Sequence, residues 1–77
     1  MTVYNKAERI VRDMERDNPH MYEGLYGNFL RNYMEFDKSK WTMDLSRYLI
    51  QANQDWEDVG YEIALALWER FEKRISC

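Results

Sequence analysis

The sequence predicts an all-α fold, a compact single-domain bundle of three to four short helices spanning residues 1–77. Two observations carry this. Apolar residues recur at spacings of three and four along most of the chain, and no useful stretch alternates with period two. The one strong break is Asn18-Pro19, because the residue before a proline is pushed out of the helical region.

Before that break, Val3, Ala7, Ile10, Val11 and Met14 fall on one stripe of a first helix. After it, Tyr22, Leu25, Tyr26, Phe29, Leu30 and Tyr33 repeat the period and define a second. Gly24 and Gly27 each cost about 1 kcal/mol relative to alanine inside a helix. Whether helix two starts late or is irregular is left open. The charged stretch Glu35 to Lys40 suits a connection, and Trp41, Leu45, Tyr48, Leu49 and Ala52 define a third helix that Asn53 and Gln54 can end. Asp55 is placed to cap a fourth helix by accepting a bond from a backbone N–H two or three residues on. Helix four is expected from Trp56 into the seventies, burying Trp56, Val59, Gly60, Ile63, Ala64, Leu67 and Phe71.

Seventy-seven residues form one domain near the size at which a core supplies only about 3–5 kcal/mol of net stability. Cys77 is the only cysteine, so no internal disulfide is expected, and no Cys/His cluster suggests a metal. An unusually apolar core or oligomerisation remains. The first is favoured by a composition 45% hydrophobic and 16% aromatic, with charged residues still at 32%. The amino-terminal segment carries charges throughout, so neither a signal peptide nor a membrane span is expected, and the chain reads as cytoplasmic.

Chemistry is read mainly by exclusion. His20 is the only histidine and reads as a loop or capping residue at a helix start. No nucleophile motif includes Ser39, Ser46, Ser76 or Cys77, and Gly24 and Gly27 do not match a phosphate-binding loop. A non-enzymatic protein without cofactor or metal is expected.

Two surface features are left once the core stripes are filled. Tyr61, Leu65 and Trp68 form a second stripe on helix four, read either as further core or as an interface rich in aromatic anchors. Met43 and Ile50 face away from the main arc of helix three, so a homodimer through helices three and four would cover both. Asp55, Glu57, Asp58 and Glu62 form an acidic run with no base between Arg47 and Arg70. Its simple reading is helix-dipole compensation. The alternative is fixed negative charge offered to a basic surface of a larger protein. An acidic entry to helix four argues against direct nucleic-acid binding by a helix-turn-helix, the third alternative.

Asp44-Leu45, then Asp55-Trp56-Glu57-Asp58-Val59 and Ile63-Ala64, resemble a pattern in short accessory helical proteins of phages and plasmids. The resemblance covers residues 44–64. It implies an inhibitor of the anti-restriction or anti-CRISPR kind, docking on a host nucleic-acid-handling complex. The expected partner-binding residues are Asp55, Glu57, Asp58, Tyr61, Glu62, Leu65 and Trp68.

Overall fold

A computed structural model describes residues 2–35 and 37–76. Helix α1 runs Val3–Asp17, with the Thr2 hydroxyl accepting the Asn5 N–H at its start. It buries Ala7, Val11 and Met14, whereas Val3, expected on the same buried stripe, is 46% exposed because it lies at the frayed end of the packed face. Asn18 ends α1 by donating its N–H to the Met14 carbonyl, and Pro19 opens α2 (Pro19–Asn32) at the position where its missing N–H costs nothing. Helix α2 is continuous across Gly24 and Gly27, which settles the question left by its two glycines.

Helix α3 (Lys38–Ala52) starts earlier than expected, because Asp37 accepts the Lys40 N–H at 2.7 Å and caps it inside the charged stretch read as a connection. The connection expected over 35–40 falls instead before Lys38, and Phe36 within it lies outside the described residues. Trp41, Leu45 and Leu49 are buried as expected. Tyr48 and Ala52, placed on the same arc by spacing, are exposed because no described residue packs over that edge of α3.

The fourth helix also begins elsewhere. Gln54–Trp56 form one 3-10 turn, the chain bends over 57–59, and α4 runs Gly60–Ser76. Asp55 is not a cap: Asn53 does that work, its side-chain oxygen accepting the Asp55 N–H at 3.0 Å. Asp55 therefore stands in the 3-10 turn and Glu57 and Asp58 on the bend before α4, none of them on its first turn. Gly60 explains the late start, since a Cβ there would come within 2.6 Å of Ile50 Cγ1 and 3.2 Å of Ser46 Oγ. Only glycine lets α4 begin this close to α3.

Helix α4 is the central element, packed along α3 and α1 and touched by α2. It contributes Gly60, Ile63, Ala64, Ala66, Leu67, Trp68 and Phe71 to the interior, with Val59 buried just before it. Phe29 of α2 joins the layers through ring contacts with Trp68 (5.0 Å), Phe71 (5.4 Å) and Trp41 (5.7 Å). Edge-to-face pairs of this kind add to burial itself. The radius of gyration, 11.7 Å, matches the roughly 11–12 Å of a folded chain of this length. No helix among the described residues is long and apolar enough to cross a membrane.

Candidate functional site

The residues expected to form one partner-binding surface divide into three environments. Trp68 is 5% exposed, its indole held against Phe29, Trp41 (5.4 Å) and Tyr33 (5.5 Å). It belongs to the core, which corrects its expected part as an exposed anchor. The cause is the central position of α4, whose carboxy-terminal half is covered by α2 and α3 together. Leu65 and Glu62 are half-buried, and Tyr61 is exposed. Asp55 in the 3-10 turn and Glu57 and Asp58 on the bend before α4 are exposed, and Asp58 meets the Lys6 ammonium of α1 at 3.3 Å. What remains of the expected surface is an acidic rim beside Tyr61, not an aromatic patch.

A concave feature lies elsewhere, between α2 and α3. The backbones of these two helices stay apart, and they meet through Trp41, which reaches Phe29 and Asn28. The gap is an open groove of about 750 Å³. One wall is a single face of α2, with His20, Met21, Gly24, Leu25, Asn28 and Asn32. The other is a face of α3, with Trp41, Asp44, Leu45 and Tyr48. At a rise of 1.5 Å per residue the α2 wall is about 18 Å long, or three helical turns.

The groove is apolar along its middle and polar at fixed points. Trp41 donates its indole N–H to Asn28 Oδ1 at 3.1 Å, tying the two walls together at one place. Asp44 accepts from the Lys40 ammonium at 3.2 Å on the rim. Tyr48, 54% exposed, stands as a side wall. Reasoning from sequence assigned Tyr48 to the core and did not single out Met21. The signal that could have revealed the groove was the width of the apolar sector on α2, since Met21 and Leu25 lie one face away from Tyr22 and Phe29.

A second cleft, about 430 Å³, lies along α1 and α4 and is lined by Tyr4, Glu8, Glu15, Tyr22, Glu69, Arg70, Lys73 and Arg74. Three of its charged residues, Glu15, Arg70 and Arg74, are paired within the chain. Arg70 donates to Glu15 at 3.1 Å, and the Arg74 guanidinium binds Glu23 through two bonds at 2.9 and 3.0 Å while lying 3.8 Å from the centre of the Tyr26 ring. The hydrogen bond from Arg74 holds the Glu23 carboxyl below its ordinary range, and burial pushes the Tyr22 hydroxyl up. Tyr33 is also raised, mainly because its hydroxyl donates to Glu72 at 3.0 Å.

Among the described residues, no three His, Cys, Asp or Glu side chains are grouped to hold a metal ion, and His20 stands exposed at the start of α2. The chain matches no protein-family model, no curated protein and no solved structure. A functional reading must therefore come from the site itself.

Proposed function

We propose that this chain is a non-catalytic protein-binding module that receives an apolar face of a partner in the groove between α2 and α3. The observation that carries the reading is the gap itself: among the described residues, two helices of a small bundle flank an open, mainly apolar groove about three turns long, bridged at one place by the Trp41–Asn28 bond. A partner helix presenting apolar residues at i, i+3 or i+4, and i+7 fits that length. Met21 and Leu25 supply adaptable apolar contacts, and Tyr48 supplies an aromatic wall of the type enriched where binding energy concentrates.

Within this class, the resemblance of residues 44–64 supports an inhibitor that docks on a host nucleic-acid-handling complex. The exposed carboxylates of Asp55 and Glu57, with Glu62 half-buried nearby in sequence, supply steering charge toward a basic partner surface. The burial of α4 weighs against a helix-turn-helix regulator, because a reading helix needs a free face and α4 spends most of its surface on the core.

The test is a comparison of three variants in retention of partners from cell extract, each first shown to be folded by circular dichroism. Tyr48→Glu and Met21→Glu place charge on opposite groove walls. Glu57→Lys reverses charge on the acidic rim. A partner held by the wild type, lost by both groove variants and kept by Glu57→Lys supports the groove. Retention that survives both groove substitutions rules it out.

A further inference from the structure

Helix α2 has a third face that the core does not use and that meets the groove only along one edge, at His20 and Gly24. Tyr22, Phe29 and the half-buried Tyr26 point inward, and Met21, Leu25 and Asn28 line the groove. The remaining stripe is His20, Glu23 with Gly24, Gly27, then Leu30 with Arg31, continued by Met34 in the turn beyond the helix. Its spacing of three, four and seven residues makes it one continuous face.

Several properties of that face have no explanation within one molecule. Leu30 is 46% and Met34 89% exposed. Among the described residues, nothing stands within 4 Å of the place a Gly24 Cβ would occupy, and at Gly27 only the tip of Arg31 comes near, at 3.8 Å. Internal packing therefore requires neither glycine, although each weakens the helix relative to alanine. Among the described residues Arg31 has no ion-pair partner.

We infer that this face of α2 is a self-association surface, occupied by α2 of a second copy running antiparallel across a two-fold axis at Gly27. The stripe is self-complementary about that residue. Three positions from Gly27, the open site at Gly24 lies opposite the partner's Leu30. Four positions away, Glu23 lies opposite the partner's Arg31. Seven positions away, His20 lies opposite the partner's Met34. Symmetry repeats each pairing, as an isologous interface requires. The projecting leucine thus meets the position without a side chain, and the unpaired cation meets a carboxylate. Glu23 already holds Arg74, yet a carboxylate has acceptor capacity for a second donor. Gly27 is at the crossing point, where the absence of a side chain lets the two backbones approach. Oligomerisation is also a recognised way for so small a core to gain stability.

The face is about 21 Å long at 1.5 Å per residue. A single helix pair of that length is small for an interface, so weak association is expected. Sedimentation equilibrium of the full chain from about 5 µM to about 1 mM reads it directly. Gly27→Gln, which suits a helix but fills the crossing point, should raise the dissociation constant at least about tenfold while leaving the melting temperature of dilute protein unchanged or higher. Arg31→Glu sets two carboxylates opposite each other and should weaken association similarly. Combining it with Glu23→Lys exchanges the charges and should restore association to within about threefold of the wild type. A chain that stays monomeric to 1 mM overturns the inference. So does a dimer indifferent to both Gly27→Gln and Arg31→Glu, or one that the charge exchange does not restore. Because Tyr48 stands on the α3 wall of the groove, away from this face of α2, loss of groove binding in Tyr48→Glu leaves this result untouched, and the two readings fail separately.

Discussion

Trp68 and Tyr61 lie seven residues apart on one stripe of α4, yet the indole is buried while the phenol is 43% exposed. Phe29, Tyr33 and Trp41 close over the carboxy-terminal end of the stripe, and no such cover lies over its amino-terminal end. Replacing a buried aromatic by alanine removes its apolar transfer energy and leaves a cavity. Trp68→Ala should therefore cost about 3–5 kcal/mol, enough to unfold much of a domain this size. Tyr61→Ala should stay within about 0.5 kcal/mol. Urea titration followed by far-ultraviolet circular dichroism separates them, and equal midpoints would contradict the burial described here. The spacing that joined these residues was legible in the sequence, but which end of the stripe was covered was not. That depends on rings from two other helices.

At the scale of the element, the glycines of α2 and α4 behave oppositely although both lie in ordinary helical backbone. Gly24 faces open space, so Gly24→Ala should stabilise dilute, monomeric protein by about 0.5–1 kcal/mol through helix propensity. Gly60 faces Ile50, a β-branched side chain with few ways to move, so Gly60→Ala should destabilise by about 1–3 kcal/mol. Two substitutions of one kind with opposite signs in thermal melts are the expected outcome. The helices themselves followed from periodicity and from Asn18-Pro19. The starts of α3 and α4 did not, because Asp37 caps α3 and Asn53 caps the 3-10 turn ahead of α4 from polar stretches without periodicity, and many polar residues there are equally able to cap. Asp55 was the wrong choice among them because the chain needs a bend, and not a helix, between Asn53 and Gly60.

For the molecule as a whole, exposed ion pairs tie the helices at their edges: Lys6 to Asp58, Arg70 to Glu15 and Arg74 to Glu23. Each is solvated and individually weak. Their sign with pH is nevertheless defined. Glu23 is held below its unfolded range, so its contribution is present above the ordinary carboxylate value near about 4 and is lost as pH falls through the lower folded value. Tyr22 and Tyr33 are raised, so their contribution is present below about pH 10 and is lost as pH rises through the higher folded values. Melting temperature should be flat between these limits and fall outside them. Arg74→Met should make the acid limb shallower, and Tyr33→Phe should do the same on the alkaline side. An Arg74→Met acid limb identical to the wild type would show that the pair does not operate in solution.

The sequence by itself determined the all-α class, the break at Asn18-Pro19 and most of the inward stripe of each helix, because these follow from local backbone geometry and from the period of a helix. Tertiary structure alone decided that α4 is central, that Trp68 is core, and that α2 and α3 stand apart with a groove between them. It also showed that the glycines and exposed apolar residues of α2 have no internal reason. Those properties depend on the distance between helices brought together from distant parts of the chain, and periodicity along one helix does not contain that distance. What the tertiary structure leaves on helix four is an acidic rim beside Tyr61, while the concave feature lies between the two helices that flank it.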